Sequence, residues 1–470
     1  MPPADLDKIL QLYPNATEIE HLSCIDNVEW SEEIPYYFKD IRAPRLTPGA
    51  SRKIFKIGKS FAVIDLRSMT ESSSTCEAYL PLPERIKFKP RRKIVPCENI
   101  FCSCARRHTI KDLEIGVYCV PFFMPDGKLS VCAQSAMKII VKHFANEYNS
   151  PDLSMPQIQK EINYGDPYGG SGLYTSQVLE GLSKICGKVL YYQGNKHPDR
   201  EKEKRKKKRS LLGYMDITTL HAYIESELPV YLVFNTRNLW WWKKSRIHGY
   251  HSIIGIGHTL DKKGNLDFFL VHDPSQLPYC LLPAQTVSKY LYEALVVLPK
   301  GVNVRFEEAF KVMIKSAIIF NESIRKKRKG KLSIDLLKIL REDKVVFRSM
   351  LVSSTKVKEW YSDPTNFYGV RNSTKEVYKD AELPPYVWLF ELKDRTIKNN
   401  INFAQILINA TEGTAKLSLI NLPDGAMKFK AGTGIQYTTR RRKKERIAGD
   451  SGLRKDRIKE KWGTIIPHLP

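Results

Sequence analysis

The order of the elements between residues 130 and 300 constrains the fold of this chain more than any other feature. Apolar residues first recur at steps of three and four, which is typical of an amphipathic helix, at Ala133, Ala136, Met137, Ile140, Val141, Phe144 and Tyr148. Further helices are predicted over 155–163, 175–185 and 217–227. Strands follow at 230–234, 250–258 and 268–272, with a turn at 261–265 between the last two. Helices followed by an antiparallel sheet indicate an α+β fold.

Cys132 opens the first of these helices. The partial positive charge at a helix N-terminus favours a thiolate over a thiol. Ala133, Ser135 and Ala136 follow it, and small side chains there leave room for a substrate backbone. A cysteine in a helix is more often a small buried hydrophobe. Its position at the helix start, with a histidine and an aspartate downstream, favours a nucleophile.

His251 lies near the start of the strand over residues 250–258, in the segment Gly-Tyr-His-Ser. Its alternating apolar neighbours would also suit a core histidine, but Gly249, Gly255 and Gly257 leave space around the imidazole. Three other histidines compete for the role of base. His248 is predicted in the preceding loop, His258 at the far end of the strand and His272 on the other face of the sheet. His251 is therefore the preferred base.

Asp273 directly follows the strand over residues 268–272 and precedes a proline. Asp-Pro is a common turn opener, so this carboxylate could merely cap a turn. The hairpin, however, places the end of this strand beside the strand of His251. Asp273 could there accept the imidazole proton and fix the orientation of the ring.

These segments together resemble the bacteriocin-processing double-glycine peptidases and their relatives without transporter domains, which are papain-like cysteine peptidases. The resemblance rests on the Cys132 helix, the Leu228-Pro229-Val230 strand entry, the Gly-Tyr-His-Ser strand and the Val-His-Asp-Pro strand. It covers residues 119–300 of the 470. It implies a papain-like α+β domain with Cys132 as nucleophile, His251 as base and acid, and Asp273 as the residue that orients it.

The oxyanion hole departs from the pattern of that family. Its members usually carry a glutamine six residues before the nucleophile, where this chain has Asp126. An ionised carboxylate donates no hydrogen bond, and its charge opposes a developing oxyanion. Losing one donor can cost ~10²–10³ in rate. The backbone N–H of Cys132 and, after a loop rearrangement, the side chain of Gln134 remain candidate donors.

Three consecutive tryptophans, Trp240, Trp241 and Trp242, precede the predicted base and are followed by two lysines. Such a loop can pack locally, form a wall of a substrate groove or anchor an interface. The sequence favours neither packing nor substrate contact, and these residues are candidates for the groove.

The flanking regions divide the chain into four predicted parts: an N-terminal region at 1–118, the papain-like domain at 119–300, a C-terminal α+β domain at 301–438 and a basic tail at 439–470. A strand pair is expected over 55–66, with its turn at 58–60. In the C-terminal domain the patterns predict helices over 306–324 and 333–341. Strands are predicted there over 345–351, 386–392, 403–409 and 415–420. The tail beyond residue 440 is predicted to be mobile.

The nine cysteines show no framework spacing, so most are expected to be free thiols. Cys97, Cys102, Cys104 and His108 form a loose cluster that fits no standard zinc pattern. No nucleotide-binding loop is present either. The sequence therefore predicts neither a metal nor a cofactor.

Lysine and arginine outnumber aspartate and glutamate by 76 to 51, which gives a net charge of +25. Basic runs lie at 202–209, 325–331 and 440–446. They suit solvated loops, but together they leave nucleic acid or another polyanion as a candidate partner. No apolar run reaches 18 residues and the N-terminus lacks a signal-peptide layout, so a cytoplasmic protein without a transmembrane helix is expected.

The residues point first to a cysteine peptidase that cleaves a protein or peptide through a Cys-His-Asp triad. The same order of residues occurs in transglutaminase-like enzymes, so acyl transfer to an amine is the closest chemical alternative. A catalytically weak module that binds nucleic acid or protein is the other alternative, and Asp126 is the feature that supports it.

Overall fold

The computed structural model describes the helices, the strands and parts of the connections between them. The described residues are 17–18, 50–57, 60–70, 73–81, 85–88, 93–96, 102–110, 113–124, 132–162, 173–197, 213–235, 249–261, 265–275, 278–327, 345–362, 378, 381–394, 402–422, 425–430, 434–439 and 444–448. They combine helices with largely antiparallel sheets, which is an α+β architecture. The contacts divide the chain into two units, Met1–Lys300 and Gly301–Pro470. None of the described helices is long and apolar enough to cross a lipid bilayer.

The first part of unit 1 is a β-rich region. Its strands are β1 Thr17–Glu18, β2 Ala50–Ile57, β3 Ser60–Thr70, β4 Ser73–Pro81, β5 Arg85–Phe88, β6 Lys93–Pro96, β7 Cys104–Ile110 and β8 Leu113–Met124. Six of the described strands form a sheet in the order β1-β2-β3-β4-β8-β7, while β5 pairs with β6. The β2–β3 hairpin confirms the predicted strand pair. Because β8 runs to Met124, the predicted boundary after residue 118 falls within a strand.

The second part of unit 1 carries the predicted helices and hairpin. Its elements are α1 Cys132–Glu147, α2 Met155–Glu161, α3 Thr175–Cys186, β9 Val189–Gln193, β10 Gly213–Tyr214, α4 Ile217–Glu225, β11 Val230–Asn235, β12 Tyr250–Leu260, β13 Leu266–His272, β14 Cys280–Pro283, α5 Ala284–Tyr290 and β15 Leu291–Val297. The described strands form a seven-stranded sheet in the order β10-β9-β15-β11-β12-β13-β14. The predicted helices and strands of this region are confirmed to within a few residues.

Helix α1 is buried more completely than its sequence predicts. The apolar face from Ala133 to Phe144 is in the core, but Ser135, Lys138 and His143 are buried as well. The helix contacts β8 of the first sheet, β12 of the second and helix α3. The contact with α3 needs a glycine, because a Cβ at Gly181 would lie 2.2 Å from Ile162 Cγ2 and 2.6 Å from Met137 Cε. Helix α1 is thus held between two sheets rather than on the surface of one.

Unit 2 is a strand meander with helices. Its elements are α6 Phe306–Lys327, β16 Val345–Ser353, α7 Ser354–Ser362, β17 Tyr386–Asp394, β18 Asn402–Asn409, β19 Lys416–Leu422, β20 Gly425–Lys430, β21 Gly434–Thr439 and β22 Lys444–Ala448. The described strands pair in chain order from β16 to β22. The ring of Phe306 on α6 lies 5.5 Å from that of the buried Trp388 on β17.

Three predictions in this half of the chain have different outcomes. The helix over 306–324 and the four strands are confirmed. The helix predicted over 333–341 lies outside the described residues. The prediction of a mobile tail beyond residue 440 is wrong for Lys444–Ala448, which pairs with β21 and extends the sheet. The division into four parts stays a prediction.

Candidate functional site

Cys132 is the first residue of α1, so its thiol lies at the positive end of the helix dipole. The backbone N–H groups of the first helical turn have no partner within the helix, so they can donate hydrogen bonds to a bound anion. Contacts between α1 and β12 bring the thiol to the strand of the predicted base. Cys132 as a whole residue is partly exposed.

His251 is the second residue of β12, where it pairs with Phe234 of β11. Only 3% of its surface is exposed. Its Nε2 atom lies 2.7 Å from Asp273 Oδ1, and its side chain also hydrogen-bonds to the Cys132 thiol. Because Asp273 occupies Nε2, Nδ1 is the ring nitrogen that serves the thiol.

Asp273 reaches His251 because of the strand register. Ile254 of β12 pairs with His272 of β13, which sets Asp273 opposite Ile253. Residues two apart on a strand share a face, so Asp273 is a diagonal neighbour of His251. The backbone N–H of Ser275 donates to Asp273 Oδ1 over 3.0 Å. The carboxylate is therefore fixed, and its contact with Nε2 sets the rotation of the imidazole.

The electrostatics of the three groups favour an ion pair. Burial raises the pKa of the Cys132 thiol, but hydrogen bonding and charge from His251 and the backbone of Ser252 outweigh it, so the pKa lies below the ordinary value. Burial lowers the pKa of His251, but Asp273 and the Cys132 thiolate together raise it to about 10. Between these two pKa values the site holds a thiolate beside an imidazolium.

Two residues that the sequence reasoning missed adjoin the site: Ser252, whose backbone hydrogen-bonds to the Cys132 thiol, and Tyr231, whose hydroxyl contacts the Ser252 side chain. The hydroxyl groups of Tyr231 on β11 and Ser252 on β12 lie 2.6 Å apart and are buried. The backbone of Ser252 contributes the hydrogen bond that lowers the pKa of Cys132. Ser252 adjoins His251 in sequence, which is a usable signal. Nothing local marks Tyr231, since its place depends on the pairing of β11 with β12.

Of the two side chains that the sequence offers for the oxyanion hole, the structure describes Gln134 and not Asp126. Gln134 is buried two residues after Cys132, and among the described residues it makes no hydrogen bond to the three site side chains. Its Oε1 atom has no hydrogen-bond partner in the described part of the chain. Asp126 lies outside the described residues, as do Trp240, Trp241 and Trp242. Their predicted roles stay predictions.

The competing histidines have other surroundings. His248 lies outside the described residues. The Nε2 atom of His258 is 2.7 Å from Glu225 Oε1, away from the thiol. His272 is fully buried, with its ring 5.2 Å from that of Phe122 and 4.8 Å from that of Tyr279. Burial lowers the pKa of His272 to about 3, so its imidazole is neutral at ordinary pH.

Of the loose cysteine cluster, Cys102 is the member whose side chain the structure describes. Cys102 is buried, and its backbone N–H donates to Ile256 O of β12 over 3.2 Å. Cys104 and His108 lie on β7, and Cys97 lies outside the described residues. Side chains that could hold a metal converge elsewhere, at His221, Glu225 and His258.

Comparisons of the chain with known protein families, with curated proteins and with solved structures find no match. Any functional conclusion therefore depends on the geometry of the site itself.

The paired charges predict unusual reactivity at Cys132. Only a thiolate reacts with iodoacetamide, and because the pKa of Cys132 is lowered, its thiolate persists until the pH falls through that lowered value. At about pH 6 we expect Cys132 to be alkylated at least ~10-fold faster than an ordinary thiol. His251→Ala removes the stabilising charge and leaves the burial, so the rate should fall at least ~10-fold. Mass spectrometry of the labelled peptides measures both.

Cys186 provides an internal control for this experiment. Burial raises the pKa of this thiol to about 12, so it should react slowly in the same sample. Labelling of Cys132 no faster than Cys186, or unchanged in His251→Ala, would show that no activated pair exists.

Tyr231→Phe tests whether the contact with the Ser252 side chain helps to hold the Ser252 backbone against the Cys132 thiol. The substitution removes the hydroxyl that meets Ser252 Oγ, so we expect alkylation of Cys132 to slow by a few-fold and the free energy of unfolding to fall by about 1 kcal/mol. Tyr192→Phe is the matched control, because it removes an equally buried hydroxyl 2.7 Å from Tyr223 Oη. Equal effects of the two variants on alkylation would contradict a specific role for Tyr231.

Proposed function

We propose that this chain is a cysteine peptidase whose nucleophile is Cys132. The observation that carries the proposal is the convergence of the thiol of a partly exposed cysteine at a helix start with a buried imidazole and a buried carboxylate. The ordinary role of such a set is nucleophilic acyl transfer. A helix that bears the thiol and packs on an antiparallel sheet that bears the other two residues also supports a papain-like arrangement.

Each residue has one task in the proposed reaction. The Cys132 thiolate attacks a peptide carbonyl carbon, and the His251 Nδ1–H then donates its proton to the leaving amine as the C–N bond breaks. Neutral His251 next takes a proton from water, whose oxygen attacks the thioester and releases the acid and the thiolate. Asp273 holds Nε2–H throughout and stabilises the imidazolium.

The oxyanion is assigned to backbone donors. The N–H of Cys132 belongs to the first turn of α1, where no helical carbonyl accepts it. In the proposed reaction this N–H and the positive end of the helix dipole both stabilise the negative charge that develops on the carbonyl oxygen. This arrangement leaves the proposal independent of Asp126.

The substrate class follows from the charge of the whole chain. A net charge of +25 favours the encounter with an acidic polypeptide, or with a protein bound to nucleic acid. We therefore propose a protein substrate with acidic segments. Raising the ionic strength should then increase the KM for an acidic substrate more than the KM for a neutral one, because salt screens the attraction between opposite charges.

The direct test is hydrolysis of a fluorescein-labelled unfolded acidic protein by the full chain, with the new termini identified by mass spectrometry. Cys132→Ala should lower the rate by at least ~10³-fold, because the nucleophile is lost. Cys280→Ala, which removes the thiol of another partly exposed cysteine, should leave the rate unchanged.

Two outcomes would overturn this proposal. Cleavage that survives in Cys132→Ala would assign the activity to a contaminant or to another site. Incorporation of an added amine into the protein substrate, with release of ammonia from its glutamine side chains and no new termini, would show that the acceptor is an amine and that the chemistry is acyl transfer.

A further inference from the structure

A second cluster of ionisable side chains lies in unit 1, apart from the proposed peptidase site. His221 and Glu225 are one helical turn apart on α4, and His258 lies on β12. The Nε2 atom of His258 is 2.7 Å from Glu225 Oε1, and that of His221 is 3.6 Å from the same oxygen. The donor atoms of the three residues all lie within 4.8 Å of one another.

The elements explain why these three residues meet. Residues four apart on a helix share a face, so His221 and Glu225 both turn toward the sheet, where α4 contacts β12. His258 is seven residues beyond His251 on that strand, which corresponds to on the order of 20 Å. The cluster is therefore separate from the thiol and serves no step of the proposed hydrolysis.

The surroundings of Glu225 suit a bound cation. Glu225 is 7% exposed and is the last residue of α4, where the helix dipole opposes a negative charge. A buried carboxylate is costly unless it is paired. An imidazole offsets that charge only when it carries two protons, whereas a divalent ion offsets it with both imidazoles neutral.

We propose that His221, Glu225 and His258 bind a divalent transition-metal ion of the zinc class. Two imidazole nitrogens and one carboxylate oxygen form a donor set that suits Zn²⁺. Ligand atoms on a tetrahedral zinc lie about 3.3 Å apart, so the most widely spaced donor atoms need to close by up to about 1.5 Å, and the His258–Glu225 pair needs to open by about 0.6 Å. The His221 side chain is 16% exposed, which gives the ion a path from solvent and leaves its fourth position for water.

The bound ion would join α4 to β12, the strand that carries His251. This link would stabilise the folded chain, because a metal that binds only the folded state raises the unfolding temperature. The proposal stands whether or not Cys132 is catalytic, because no residue is shared between the two sites.

The test uses the full-length chain with Cys132→Ala, so that the thiol cannot take the metal. After removal of metals, Zn²⁺ is titrated by calorimetry, and Co²⁺ is titrated as a spectroscopic substitute. We expect one tight site per chain, and Co²⁺ spectra without the charge-transfer band of a thiolate ligand. His221→Ala and Glu225→Gln should each weaken binding at least ~10-fold.

His197→Asn is the matched control. Its Nε2 atom lies 3.4 Å from Glu293 Oε1, so the variant removes another histidine paired with a glutamate. This variant should bind Zn²⁺ as tightly as its parent. Equal affinity in His221→Ala, Glu225→Gln and the parent, or no tight Zn²⁺ binding by the folded parent, would overturn the proposal.

A second measurement needs no substitution at the cluster and so does not depend on the folding of variants. In the same parent, Zn²⁺ should protect His221 from modification by diethyl pyrocarbonate at least ~10-fold, and His197 should not be protected. The unfolding temperature should rise by several degrees with Zn²⁺. Equal modification of His221 with and without Zn²⁺ would show that the three side chains are satisfied by hydrogen bonds alone.

Discussion

The register between β12 and β13 is the constraint on which the candidate site depends. It sets Asp273 diagonally across from His251 and brings their side chains to 2.7 Å in a buried setting. A shift of one residue would move Asp273 to the opposite face and leave a buried imidazole unpaired. Burying the pair costs free energy, but apolar side chains buried in the same hairpin stabilise the fold that holds it. Phe268, Phe269 and Leu270 are all at most 2% exposed. The β12–β13 pairing thus orients the imidazole of His251, and the packing of α1 on β12 then brings the Cys132 thiol to it.

The sequence predicted the elements of this site because their signals are local. The helical repeat from Ala133, the apolar strand from Val230 and the hairpin around residues 261–265 each appear within a short window, and all three are confirmed. The prediction that Cys132, His251 and Asp273 form one site followed from the order of those elements. Their roles in catalysis stay predictions.

Long-range burial and pairing were not readable from the sequence. Lys138 and His143 lie on the polar side of the predicted helix, yet both are buried: the ammonium group of Lys138 donates to the carbonyl of Leu153, and the ring of His143 lies beside those of Phe144 and Tyr148. Tyr231 reaches Ser252 only through strand pairing. The spacing of His221 and Glu225 is visible on α4, but their partner His258 comes 33 residues later and depends on the fold. In each case the missing information is which faces of two distant segments meet.

The most direct test of the account is the protonation state of His251, followed by ¹⁵N NMR of the imidazole ring in the full chain across a pH titration. We expect a doubly protonated ring at neutral pH that loses its proton only near pH 10, because Asp273 and the Cys132 thiolate raise the pKa of His251 to about 10. In Cys132→Ala the pKa should fall but stay above the ordinary histidine range, since Asp273 remains. A ring that is already neutral at about pH 7 would contradict the thiolate–imidazolium pair.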